Sequence, residues 1–291
     1  MELTTKTHQN ETNPRGAGEQ ARATPELPTY AISHGGGPWP WIKDLVPGDL
    51  SVLERALESI ATENYGRVEA VLVVTAHWEE REFTVSTHPN PPMLYDYGGF
   101  PEFTYHLSYP APGSPRVAGR VSELLTAAGI PVRSDADRGF DHGTFVPLYV
   151  MYPDATIPVV QLSIKRGFDP SEHLALGRAL RPLRREGVLI IGSGLPTFHD
   201  LSRLGPMSAA PSREFDGWLT RTVAQSGPAR SDALRNWATA PSARSCHPRE
   251  DHFIPLLIAA GAAETEPGVL HYHERTFMGS TTSSGYRFGG N

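Results

Sequence analysis

The run Val71-Leu72-Val73-Val74-Thr75-Ala76-His77-Trp78 constrains the fold most. Its consecutive apolar, mostly β-branched residues have no helical period, which predicts a strand buried on both faces of a parallel sheet. Shorter runs repeat the pattern at Thr29-Tyr30-Ala31-Ile32-Ser33, over 157–164 and at Val188-Leu189-Ile190-Ile191-Gly192-Ser193-Gly194. Between them lie helical spacings. Residues 49–62 carry Leu53, Leu57 and Ile60 on one face, with Ser51 as the expected cap. Further helices are predicted over 115–128, 146–152, 171–186, 211–226 and 231–239, and from His252 to about 263. Phe83 to Ser86 reads as a strand, Ile130 to Val132 as an edge strand, and 269–288 as one or two closing strands. Strands alternating with helices predict an α/β fold. The expectation is a single three-layer domain, with a central, mostly parallel mixed sheet and helices on both faces.

Residues 1–26 are polar and read as a disordered leader, leaving 27–291 as one domain. A net charge of −6 offers no footprint for nucleic acid or an anionic membrane. No apolar run approaches the ~18 residues of a membrane span, and no signal-peptide core stands at the start. One cysteine, Cys246, excludes an internal disulfide and fits a reducing compartment. A cytoplasmic enzyme is the expectation. Nothing in the pattern fixes an oligomeric state.

Twelve histidines are many for this length. His34 follows the first strand and precedes Gly35-Gly36-Gly37-Pro38, a loop lacking the Gly-Lys-Ser/Thr ending of a phosphate cradle. His77 ends the second strand. His199, beside Asp200, follows the third strand's glycine-rich exit. His252 opens an apolar helix, and His142 sits in a loop between Asp141 and Gly143. Ligands are expected at the carboxyl ends of strands in such sheets. Distant imidazoles gathered on one sheet edge suit a catalytic metal, with Fe, Zn, Cu and Ni all compatible. Each histidine also has a structural reading. His77 suits a backbone carbonyl, His142 suits loop fixing, and His199 and Asp200 suit each other. His247 reads as a solvent or turn residue, and His88, His106, His173, His271 and His273 as structural or exposed. Cys246 lacks a basic partner. Ser193 fails the Gly-x-Ser-x-Gly elbow, because Ile191 stands at its first glycine.

Several segments together resemble the class III (LigB-type) extradiol ring-cleavage dioxygenases, nearest the 4,5-DOPA dioxygenase branch. They are Ser33-His34-Gly35-Gly36-Gly37-Pro38, Thr75-Ala76-His77-Trp78, Tyr109-Pro110-Ala111-Pro112-Gly113-Ser114-Pro115, Gly139-Phe140-Asp141-His142-Gly143, Val160-Gln161-Leu162-Ser163 and His252-Phe253-Ile254-Pro255-Leu256. The resemblance runs from about Thr29 to Met278. It implies one non-haem Fe(II) held by His34, His77 and His252, with zinc possible in purified protein. Glu250 and Asp251 stand beside the third ligand. It implies His199 as the acid/base, or as a further ligand, and His142 as a hydrogen-bonding partner of bound oxygen or substrate. The implied partners are a small catechol and O₂. A zinc hydrolase on the same scaffold and a non-catalytic binding protein are the alternative readings. The aromatic segment around 90–107 and the loop around 200–212 are expected to read the substrate. Arg138, Lys165 and Arg249 are either carboxylate binders or surface charges.

Overall fold

A computed structural model describes residues 26–290. The expected leader lies outside the described residues except for Glu26, whose carboxylate pairs with Arg181, Arg184 and Arg185. Eight strands make one sheet: β1 (Thr29–Ser33), β2 (Ala70–Glu80), β3 (Phe83–Ser86), β4 (Val132–Asp135), β5 (Val159–Lys165), β6 (Val188–Gly194), β7 (Gly268–Phe277) and β8 (Thr281–Phe288). Their order is β4-β3-β5-β2-β6-β1-β8-β7. The centre, β5-β2-β6-β1, is parallel throughout. β3 joins it antiparallel to β5 and carries β4 in parallel, while β8 joins antiparallel to β1 and carries β7.

The eight helices among the described residues are α1 (Ser51–Glu63), α2 (Pro115–Ala127), α3 (His142–Met151), α4 (Pro170–Leu180), α5 (Ala209–Val223), α6 (Gly227–Arg235), α7 (Ala243–Cys246) and α8 (Ile254–Ala262). Alternation along β2 divides the core. Val71 and Val73 pack with Leu53, Leu57, Phe145 and Leu148 of α1 and α3. Leu72 and Val74 pack with Leu174, Leu176, Leu257 and Ile258 of α4 and α8. Burying both faces of the central strands explains why their sequences are apolar without alternation. The three-layer α/β expectation therefore holds.

Several local expectations shift for identifiable reasons. The start of α1 is held by the Asp49 carboxylate, which accepts from the Ser51 amide and hydroxyl, rather than by Ser51 as cap. Asp169 caps α4, which stops at Leu180. Beyond it Pro182 has no N–H to continue the ladder, so 181–185 tighten into a 3₁₀ turn. The helix expected over 231–239 begins earlier, at Gly227, ends at Arg235, and is followed by a separate 3₁₀ turn at Trp237–Thr239. Pro131 cannot donate to a ladder, and β4 accordingly begins one residue later, at Val132 against Phe83.

Two corrections bear on the site. β2 does not end at His77 but runs on to Glu80. Its register against β5 jumps from Val74–Leu162 to Glu79–Ile164, and its pairing with β6 ends at Thr75–Ser193. His77 therefore sits in a bulge just past the end of β6, where a side chain is re-aimed. His142 is not in a loop. It is the first residue of α3, because the Asp141 carboxylate caps that helix by accepting from the Thr144 amide.

Candidate metal centre

The carboxyl ends of the central parallel strands share one edge, and five histidines converge there. His34 leaves β1 with its amide donating to the Gly194 carbonyl at the end of β6. His77 stands in the β2 bulge. His142 arrives on the first turn of α3, where Gly143 permits the approach: a Cβ there would come within 2.9 Å of the His77 ring and 2.7 Å of Thr75 Oγ1. His252 lies in the turn two residues before α8, rather than at the helix start expected for it. Its carbonyl accepts from the Leu195 amide, and a Cβ on Gly194 would stand 2.3 Å from that oxygen. His199 follows β6, with its amide donating to the Cys246 carbonyl.

The rings are close. His34 lies 5.0 Å from His77 and 5.2 Å from both His142 and His252, centroid to centroid. His77 lies 4.0 Å from His142 and 4.8 Å from His252. His199 stacks on His252 at 3.4 Å. By donor atoms, His34, His77 and His142 form one set within 4.8 Å of each other, and His199, Asp251 and His252 form a second.

Hydrogen bonds set the tautomers. His34 Nδ1 donates to the Gly35 carbonyl, 2.9 Å. His77 Nδ1 faces Asp96 Oδ2 at 3.3 Å, and His252 Nδ1 donates to Asp251 Oδ2 at 3.0 Å. With Nδ1 hydrogen-bonded on His34 and His252, Nε2 of those two rings keeps its lone pair. The Nε2 atoms of His34 and His77 face each other at 3.3 Å, a separation satisfied either by one ring's N–H donating to the other or by a cation held between two lone pairs. Two nitrogens each about 2.1 Å from one ion stand about 3.0–3.4 Å apart at ordinary coordination angles. Burial, together with the neighbouring imidazoles, holds His34, His77 and His252 well below the usual histidine range. Neutral, buried, pre-oriented imidazoles are the form a metal binds. The residues present fit a metal ion.

The surrounding groups hold these rings. His142 donates to Asp96 Oδ1 from both Nδ1, 2.8 Å, and its own amide, 3.0 Å. Burial pushes the Asp96 carboxyl up, but the hydrogen bonds and charge of His142 outweigh it and leave it lowered. Asp141 is fully buried. It accepts from Thr75 Oγ1 and Arg138 Nη2, and desolvation still raises it despite that arginine. Burial pushes His199 down to about 4, with Asp200 opposing and Arg249 and His142 assisting.

Some expectations change here. Asp200 does not satisfy His199; it accepts from the Ser202 amide and hydroxyl, while His199 Nδ1 stands 3.9 Å from Asp251 Oδ1. His247 is fully buried rather than solvent-facing, with Nε2 against the Pro196 carbonyl and its ring among Phe215, Trp237 and Phe253. Of the three basic candidates, Arg138 is not a surface charge. It binds Asp141 and the His77 carbonyl. Lys165 pairs with Glu172, and Arg249 with Glu79 and Asp251. Cys246 is buried and its thiol is pushed up to about 12 by that burial. The residue that sequence reasoning missed is Asp96. The signal available was a single acid inside an otherwise aromatic segment, Tyr95-Asp96-Tyr97.

A family model described as the catalytic LigB subunit of aromatic ring-opening dioxygenase matches residues 40–289. The chain belongs to the LigB family of class III extradiol dioxygenases. As a LigB-family oxidoreductase it is 40% identical over 263 residues to the dioxygenase tasH of Hapsidospora irregularis, covering 84% of this chain and 81% of that one. It is 39% identical over 265 residues to a 4,5-DOPA dioxygenase extradiol of Beta vulgaris, covering 89% and 96%. The protein of that name from Escherichia coli K12 is 36% identical over 249 residues, covering 82% and 91%. A crystal structure of an uncharacterized Escherichia coli K12 protein superposes with a TM-score of 0.72 at 32% identity, over 90% of this chain and all of that one. The matched family span begins after His34, so in this LigB-family chain β1 brings that imidazole to the site from outside the span.

Proposed function

We propose that this LigB-family enzyme opens the ring of a catechol beside its diol, with His34, His77 and His252 holding a mononuclear non-haem Fe(II). The observation that carries the reading is the convergence of three imidazoles on one sheet edge, with the His34 and His77 Nε2 atoms 3.3 Å apart and the His252 ring 4.8 Å from that of His77. When bound, the metal supplies charge that lowers the pKa of a coordinated hydroxyl and a meeting point for catechol and O₂. Neutral imidazole binds zinc as well, so zinc is expected in protein prepared without iron.

His199 takes the proton released by the catechol and returns one during ring opening. Its lowered pKa keeps it unprotonated, and its Nδ1 has no short partner on Asp251. His142, clamped by Asp96, offers a fixed hydrogen bond to a substrate or oxygen atom. Tyr97, whose ring lies 5.8 Å from His142, walls the pocket for a flat ring. Relatives named as 4,5-DOPA dioxygenases support a 3,4-dihydroxyphenyl substrate with a side chain. Residues 27–291 act as one catalytic unit, and the lone buried cysteine suits the cytoplasm.

O₂ uptake by anaerobically Fe(II)-loaded protein, measured with a panel of catechols, tests this. Uptake with a yellow ring-opened product is expected. Absence of uptake with every catechol, despite one bound metal per chain, would replace it with metal-activated hydrolysis or binding without turnover.

A further inference from the structure

The aromatic segment over the site has unusual anchorage. Its start is zipped to the strand-like approach of α3: the Leu94 amide donates to the Phe140 carbonyl and the Phe140 amide to the Pro92 carbonyl, both 2.8 Å. Its interior is self-bonded, with Tyr95 Oη donating to the Leu107 carbonyl and Tyr97 Oη to the Thr104 carbonyl. Between these two tyrosines Asp96 turns inward to His77 and His142. Its Oδ1 accepts from His142, and its Oδ2 faces His77 Nδ1 at 3.3 Å. One side chain thereby fixes the His142 imidazole, sets a carboxylate oxygen beside His77 and pins the segment to both.

We infer that Asp96 is a positioning residue that couples metal binding at His77 to the ordering of the aromatic wall, residues 93–107. The inference rests on His77 being a metal ligand. If the metal favours the His77 orientation that Asp96 holds, then the metal also favours the pinned wall, and a ring bound against the wall tightens the metal in return. Asparagine is nearly isosteric but replaces one accepting oxygen with an NH₂ donor group. Its oxygen serves His142 while its NH₂ confronts the His77 Nδ1–H, which turns that ring's lone pair away from the metal. Asp96→Asn therefore separates positioning from mere filling of space.

The experiment uses the full chain, metal-free and then titrated with Co(II), followed by calorimetry, by the Co(II) absorption spectrum and by backbone hydrogen exchange. Wild type is expected to bind one equivalent and to slow exchange over 93–107 on loading. Asp96→Asn is expected to bind 10–100-fold more weakly, with an altered spectrum and faster exchange over 93–107 that Co(II) no longer slows. Tyr95→Phe removes only the bond to Leu107, so it should loosen the wall and, through the same coupling, weaken Co(II) binding by less than Asp96→Asn does. Equal affinity in wild type and Asp96→Asn overturns the inference while leaving the ligand set standing. Failure of wild type to bind Co(II) overturns both. Should Asp96→Asn not fold, the wild-type exchange experiment decides alone, and an unchanged 93–107 on loading overturns the coupling.

Discussion

Asp96 and Asp251 do the same job with different tightness. Each carboxylate presents one oxygen to a proposed ligand and the other to a second imidazole: Asp96 to His77 and His142, Asp251 to His252 and His199. On the Asp96 side the second contact is short, 2.8 Å, and reinforced by the His142 amide. On the Asp251 side it opens to 3.9 Å, and that oxygen has no hydrogen-bond partner, while Arg249 takes the other oxygen at 3.1 Å. Burial raises Asp251 in spite of Arg249, whereas Asp96 is lowered. The difference assigns fixed geometry to His142 and freedom to His199. A hydrogen-bond donor gains from being fixed. A proton carrier must exchange partners, and a tight second bond at Nδ1 would oppose that.

Removing a proposed ligand should have the largest effect. His77→Ala and His252→Ala are expected to abolish both metal binding and ring cleavage, while His142→Ala keeps its metal. Metal content per chain checks this, and metal loss in His142→Ala with retention in His252→Ala would move the third ligand to the Asp96 side. Next, His199→Ala should lower kcat by about 10²–10⁴-fold, the span of general acid–base catalysis, with His142→Ala losing less. Steady-state kinetics on metal-loaded protein gives the ranking, and the reverse order would break the division between fixed and free imidazoles.

A histidine away from the site sharpens the contrast between the imidazoles proposed as ligands and those kept neutral by packing. His173 is fully buried, with Nδ1 donating to the Asp169 carbonyl and Nε2 accepting the Lys165 amide, and burial lowers it from 6.5 to about 4. The folded state disfavours its protonation, so its contribution is complete above pH 6.5 and is lost as pH falls from there towards 4. The shift corresponds to about 3 kcal/mol. Urea unfolding at pH 7 and pH 4.5 should show the gap between wild type and His173→Asn narrowing at the lower pH; a constant gap contradicts the assignment. Asp251→Asn should weaken metal binding by less than about tenfold, since its amide oxygen still accepts from His252; a loss matching that of Asp96→Asn would erase the asymmetry. Smallest of all, Arg249→Gln should change stability by less than about 1 kcal/mol, because its ion pairs with Glu79 and Asp251 are half exposed.

Much of this molecule is written locally. The apolar runs of β1, β2, β5 and β6 and the spacing of Leu53, Leu57 and Ile60 are properties of short windows, and they specify strands, helices and an α/β sheet without reference to anything distant. Histidines beside such runs were legible for the same reason, since a parallel sheet delivers its strand ends to one edge. Their partners were not. Asp96 and His142 are 46 residues apart, and nothing in the Tyr95-Asp96-Tyr97 segment indicates which way the acid turns. The bulge that carries His77 past the end of β6 depends on the length of a neighbouring strand, and the buried state of His247 on aromatics brought in by α5 and the Trp237 turn. Secondary structure and the ring of imidazoles follow from the sequence because backbone periodicity is local. Which carboxylate holds which imidazole, and how tightly, was decided by tertiary packing, because hydrogen bonds between loops exist only once the sheet has set their separation.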